Sequence, residues 1–250
     1  MGEKEDADFT TQFAGAMKGL TADQKAVYDR LEEGLKKAQA DNTEAAWMTS
    51  AGDFLKGARL AKDDRKGVLY QGAINGFQKA LVFNPNSLSA KTNLGTSIVE
   101  SSSILGNQPM KGITLLREVI AKDSNNIEAN LQLGLFSVTS QQFNKAIERF
   151  QRILRIDSTH IDMYVYLGDT YLTMGEKQKA IESYENYKVR VKDTLITRNI
   201  DEYIKKLKQQ QNWSHRLYYL CNQCKTKNYA IRKKKKAQKN EHPQTQKAPA

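Results

Sequence analysis

The chain is poor in the residues from which catalytic and metal centres are usually built: its 250 residues include two cysteines and three histidines. Two cysteines are too few for a disulfide framework, which fits a reducing compartment. Only four prolines interrupt the chain, and alternating Val/Ile/Thr runs of strand character are missing, so the class expected is all-α. No apolar run approaches the roughly 18 residues of a membrane-crossing helix, and "MGEKEDADF" is acidic where a signal peptide is basic and then apolar. Asp6 stands where a myristoylation signal beginning at Gly2 needs Ser or Thr. The expectation is a soluble, cytoplasmic protein without a transmembrane segment. An export signal or anchor removed from such a start leaves the same sequence, so an exported or membrane-tethered assembly stays open as an alternative.

What is present is a repeat. Aligning Leu133-Gly134 with Leu167-Gly168 gives an offset of 34 residues, at which Ala146 meets Ala180, Ile147 meets Ile181, Glu148 meets Glu182 and Phe150 meets Tyr184. The later unit carries Tyr164, Leu167, Gly168, Tyr171, Gly175, Ala180 and Tyr184; the earlier one has Ser137 and Gln141 where Tyr171 and Gly175 stand. On these residues the chain, over about 43–194, resembles the tetratricopeptide repeat family.

Upstream, Leu94-Gly95 repeats the pair 39 residues before Leu133-Gly134, followed by Gly112, Leu116 and Val119; the surplus falls in the turn "SILGNQP", where Gly106 and Pro109 break the helix. Further upstream, Ala73, Phe77, Ala80 and Pro85 read as a second helix, with Trp47 in its first helix and an extended "GARLAKDDRKG" between them. The resemblance implies about four repeats, the first degenerate, in a right-handed α-α superhelix. The expected organisation is an N-terminal helical arm (1–42), the repeats (43–194), a capping helix (195–210) and a basic, flexible tail (211–250).

Small residues at Gly134, Gly168, Ala146 and Ala180 let paired helices approach, and bulky positions fill the space between pairs; one hairpin cannot bury its apolar face alone, so the stack needs caps. Leu195, Ile196, Ile200, Tyr203, Ile204 and Leu207 share one helical face behind Asp193 or Thr194 as N-cap. At the other end Thr21-x-x-Gln24 reads as a capping box before Val27, Tyr28, Leu31 and Leu35. Phe9, Phe13 and Met17 read either as a short packing helix or as a flexible arm. Gly52, Gly57, Gly72 and Gly76 fall inside helical stretches, at a cost of about 1 kcal/mol each relative to alanine, and close packing is the expected reason.

No phosphate-cradling glycine loop, nucleophile elbow, His-Glu-x-x-His or histidine pair is found. His160 lies at a repeat boundary, and Asp157, Asp162 and Glu176 read as caps and solvated faces. The protein is therefore expected not to be an enzyme, to have no small-molecule substrate, and to bind another protein or peptide. The resemblance implies a concave groove lined by first helices, at Asn93, Thr96, Glu128, Leu131, Leu135, Val138, Asp162, Val165, Asp169 and Leu172. It also implies that the family's carboxylate clamp is absent, because Glu128 and Gln132 stand where a basic pair belongs. An apolar and acidic groove suits an amphipathic or basic segment. The alternative is that Leu131, Leu135, Val165 and Leu172 are packing residues, or are covered by the Leu195 to Leu207 helix.

The net charge of +11 is concentrated at one end: from Asn212 onward ten basic residues face one acid, Glu241, and account for +9 of it. Such a tail is drawn to polyanions. Cys221-x-x-Cys224 offers two thiolates where a closed zinc site needs four ligands, so zinc at this pair is an alternative to no cofactor at all. Residues 217–236 also resemble the first half of the zinc-ribbon proteins of the large ribosomal subunit, without their second cysteine pair. Arg216, Lys225, Lys227, Arg232, Lys233, Lys234, Lys235 and Lys236, interleaved with Trp213, Tyr218, Tyr219 and Tyr229, combine phosphate contacts with base stacking. The second functional reading is therefore a nucleic-acid or ribosome-associated adaptor; a solvated, disordered extension is the other reading of the same residues.

Overall fold

Short polar side chains cap the N-termini of five of the helices. The computed structural model describes residues 2–208, and among them are eleven α-helices and no strand. Two compact units divide between Gln141 and Gln142. The first holds α1 (Gly2–Ala16), α2 (Ala22–Asp41), α3 (Glu44–Leu60), α4 (Lys66–Phe83), α5 (Leu88–Leu105), α6 (Pro109–Lys122) and α7 (Ile127–Thr139). The second holds α8 (Phe143–Ile156), α9 (Asp162–Thr173), α10 (Lys177–Lys188) and α11 (Thr194–Lys208).

Thr21 and Gln24 make the full capping box, with each side chain bonded to the other residue's backbone. Thr43, Ser87 and Asn126 accept hydrogen bonds from the backbone N–H three residues on and so start α3, α5 and α7. Asp193, rather than Thr194, caps α11 by accepting from the N–H groups of Leu195 and Ile196 at 2.9 and 3.1 Å. Gly106 ends α5 in the left-handed region, and Pro109 opens α6, where its missing N–H costs nothing. The connection expected to be extended at "GARLAKDDRKG" is shorter. Ala58 is fully buried and carries α3 on to Leu60, leaving Ala61–Arg65 as the link, with Arg65 paired to Asp63 at 2.7 Å.

In the first unit Phe9 and Phe13 bring α1 onto the α3–α4 hairpin, so this segment is a packing helix. Phe54 meets both rings edge-on at 5.7 and 5.2 Å, and Tyr28 stacks on Phe13 at 5.8 Å. Trp47 donates its indole N–H to Asn42 at 3.1 Å. Val27, expected on the buried face of α2, is 45% exposed, while Tyr28, Leu31 and Leu35 are buried. Close approach explains Gly72 and Gly76: a β-carbon on Gly76 would lie 2.8 Å from that of Ala51, and one on Gly72 2.6 Å from the Phe54 ring. It does not explain Gly52, which has nothing within 4 Å of that position.

In the second unit α9, α10 and α11 bury Ala180, Tyr184, Tyr187, Ile200, Tyr203, Ile204 and Leu207. Tyr184 meets Tyr203 edge-on at 5.3 Å, and Phe150 of α8 stacks on Tyr166 of α9 at 5.3 Å. A β-carbon on Gly168 would press on the Tyr184 ring at 2.6 Å, so this glycine lets α9 and α10 close. Leu195, expected on the buried stripe of α11, is 52% exposed.

Candidate interaction site

In the first unit α5 lies beside both α3 and α7, and polar side chains from four helices converge there. Arg59 of α3 donates from Nε and Nη2 to the two carboxylate oxygens of Glu100 on α5, both at 3.0 Å, and from Nη2 to Glu128 of α7 at 3.0 Å. Gln132, one turn after Glu128, donates to Glu100 at 3.0 Å and to Glu128 at 3.1 Å. Tyr70 of α4 donates to Glu100 at 3.2 Å, and Thr96 of α5 reaches Glu128 at 3.4 Å. Burial opposes the charge on Arg59, but the hydrogen bonds and charges of Glu100 and Glu128 outweigh it and hold the guanidinium above its ordinary value. Burial, then the charge of Glu100, pushes the Tyr70 hydroxyl up as well. Two carboxylates thus share one planar donor, whose bidentate geometry fixes how three first helices register against one another.

Beside this network a cleft of about 420 Å³ opens between α3 and α5. Its walls are Gly52, Leu55, Lys56, Leu60 and Asn93, with Arg59 at one end and buried Phe77 as the floor. A second cleft, also about 420 Å³, lies between α2 and α3 and shares Lys56 and Leu60 with the first. Leu60 is 64% exposed, Val27 lines the second cleft, and together they present apolar side chains to solvent along one side of α3. The ammonium of Lys56 has no ion-pair partner among the described residues. Arg59, Glu100, Glu128, Gln132, Tyr70 and Thr96 are tied to each other. Among the described residues no group of three or more His, Cys, Asp or Glu could hold a metal ion, and no helix is long and apolar enough to cross a membrane.

Of the residues expected to line a groove, Asn93 is on the α3–α5 cleft and Glu128 is in the network. Thr96 is fully buried. Leu131, Leu135 and Val138 are half-buried on α7. In the second unit Val165 is buried and Leu172 packs against the same core. Asp162 is exposed at the start of α9. Asp169 accepts a hydrogen bond from the Tyr184 hydroxyl at 2.6 Å, and burial pushes its carboxyl up to about 7 in spite of that bond. Burial likewise raises Tyr184 well above its usual range and Tyr203 to about 12. Arg59, Glu100, Leu60 and Gly52 were not among the expected residues. The sequence signals nearest to them are the mid-helix Gly52, read there as a packing glycine, and the Glu128–Gln132 pair, one turn apart.

Cys221 and Cys224, with Arg216, Lys225, Lys227, Tyr229, Arg232 and Lys233 to Lys236, lie outside the described residues, as does the whole 217–236 resemblance.

Residues 161–187 match the tetratricopeptide repeat family. Among solved structures the chain is similar to YrrB, described as a tetratricopeptide repeat protein with an unusual peptide-binding site, at 19% identity over 71% of this chain and 84% of that one, with a TM-score of 0.52. It is also similar to MamA from Desulfovibrio magneticus RS-1, at 16% identity over 82% of this chain and 98% of that one, with a TM-score of 0.50. No curated protein sequence matches. The likeness is one of fold: helical hairpins of the tetratricopeptide repeat type.

Proposed function

We propose that the protein is a non-enzymatic interaction scaffold that receives a peptide or an amphipathic helix of a partner protein on the first helices of its repeats, with the α3–α5 cleft as the main contact. The observation that supports this most is Gly52. A mid-helix glycine costs about 1 kcal/mol relative to alanine, and here no packing requires it. What its missing side chain leaves open is a cleft walled by Leu55 and exposed Leu60. Apolar anchors from a partner fit such walls, as in helix-in-groove recognition. Arg59, Glu100 and Glu128 bond one another, so they offer orientation rather than a free charge. Asn93 offers both donor and acceptor to the partner's main chain. Along α7 the surface continues through Leu131, Leu135 and Val138. In the second unit, taken by itself, Val165, Asp169 and Leu172 serve its own packing, and Asp162 is exposed.

Selection of displayed random 12-residue peptides on the full chain tests the proposal. Selected peptides are expected to lose at least tenfold in affinity against Leu60→Asp. Equal affinity for that variant contradicts the site. A robust turnover abolished by one polar-to-Ala change in the repeats contradicts the non-enzymatic reading. No cofactor is part of this proposal; a cytoplasmic location is, with the exported or tethered assembly as its alternative.

The nucleic-acid or ribosome-associated reading rests on the +9 charge and aromatics of residues 212–250 alone. Binding to RNA at two salt concentrations, with and without those residues, tests it. If removal changes neither the affinity nor its salt slope, the tail does not bind RNA.

A further inference from the structure

A third cleft in the first unit, of about 470 Å³, is lined by side chains of a different chemistry. Six carboxamides converge on it: Gln12 of α1, Gln71, Asn75 and Gln78 of α4, and Asn107 and Gln108 from the turn before α6. Lys111 is the single ionisable residue in its lining. None of the residues that wall the α3–α5 cleft takes part.

Each carboxamide carries two N–H donors and one acceptor oxygen without net charge. The amides of Gln12, Gln78 and Gln108 have no hydrogen-bond partner among the described residues. Gln71 donates to Asn75 at 2.7 Å, and Asn107 donates to Ser101 at 3.3 Å, each leaving capacity unused. Gln71, Asn75 and Gln78 stand at i, i+4 and i+7, a single row along one face of α4 that rises about 10.5 Å. Three residues of extended chain span about 10 Å and present alternating N–H and C=O groups over that distance. The row and the opposing Asn107 and Gln108 therefore match a strand of main chain in both length and hydrogen-bonding character. A strongly charged ligand would find one lysine. A sugar ring would find no flat aromatic platform, because Phe9 is only 6% exposed, its ring turned into Phe13 and Phe54. Ile74 and Ile98 supply the apolar part of the lining, which suits alternate side chains of a strand.

We propose that this cleft is a second binding site, which takes the main chain of an extended, uncharged polypeptide segment through its carboxamides. Binding there is insensitive to salt and independent of the α3–α5 cleft.

The probe is a library of blocked decapeptides made of Ala, Ser, Thr, Val and Gln, measured by fluorescence polarisation against the full chain. Binders are expected to lose at least tenfold in affinity against Gln78→Leu, an exposed position whose change spares the fold, and against Asn75→Leu. The same loss is expected when the peptide's backbone nitrogens are methylated. Raising salt from about 50 to about 500 mM is expected to change the affinity less than twofold, since no counterions are released. The proposal is overturned if no member binds below millimolar concentration, or if binding survives Gln78→Leu and methylation. It is equally overturned if binding is lost in Leu60→Asp instead, which would assign the peptides to the other cleft. A shift of the Gln71, Asn75 and Gln78 side-chain amide resonances by maltohexaose, and by none of the peptides, would make the cleft a saccharide site and overturn it too.

Discussion

Gln141 and Gly175, 34 residues apart, both turn the chain back with positive φ, 58° at the glutamine and 79° at the glycine. The repeat seen in side chains is thus also a repeat of backbone conformation. In the earlier turn a residue with a β-carbon occupies the left-handed region, at a cost of roughly 1–2 kcal/mol. Gln141→Gly is expected to raise stability by about 1 kcal/mol, less than the full strain because glycine also frees the unfolded chain. Urea unfolding checks this; no change or a loss would mean that the glutamine side chain holds the turn.

Gly112 and Gly52 predict effects of opposite sign for the same substitution. A β-carbon on Gly112 would lie 2.5 Å from the Gly95 carbonyl oxygen and 2.9 Å from Val99, so backbone rather than a rotatable side chain must give way. Gly112→Ala is expected to lose about 1–3 kcal/mol. Gly52→Ala meets nothing and is expected to gain about 1 kcal/mol through helix propensity. Chemical denaturation of the two variants beside the natural chain measures both.

Asp169 predicts a pH dependence. Its carboxyl titrates near 7 in the folded state, against about 3.9 unfolded, so between those values the folded form holds the extra proton. Stability contributed by this group is therefore fully present below about pH 4, falls as pH rises to about 7, and is flat beyond. Asp169→Asn keeps an acceptor for Tyr184 and removes the titration. It is expected to be neutral near pH 4 and stabilising at pH 8, by at most about 4 kcal/mol. Unfolding midpoints of variant and natural chain between pH 4 and 8 check the sign. A variant less stable at pH 8 would show that the ionised carboxylate is favoured.

Helices, caps and hairpins were legible because each rests on local spacing. Thr21 and Gln24 are three residues apart, Gly106 and Pro109 mark a turn by their own backbone limits, and the Leu-Gly pair recurs after 39 and then 34 residues. Stripe edges were less legible. Val27 and Leu195 fit the apolar period but end up exposed, because periodicity does not say how far the neighbouring helix reaches. The site was least legible. Arg59 meets partners 41 and 69 residues away, and only the packing of α3, α5 and α7 makes them neighbours. Gly52 looked like Gly72 and Gly76 in sequence, and what separates them is the presence or absence of a facing atom.

Filling the α3–α5 cleft is the most direct measurement. Gly52→Phe places a ring where the structure leaves nothing within 4 Å of a β-carbon, so the fold is expected to hold while the space between Leu55, Leu60 and Asn93 is taken. Peptides selected on the natural chain are expected to bind this variant at least tenfold more weakly, with an unchanged or higher unfolding midpoint. Undiminished affinity at an unchanged midpoint would contradict the assignment of this cleft as the place where the scaffold receives its partner.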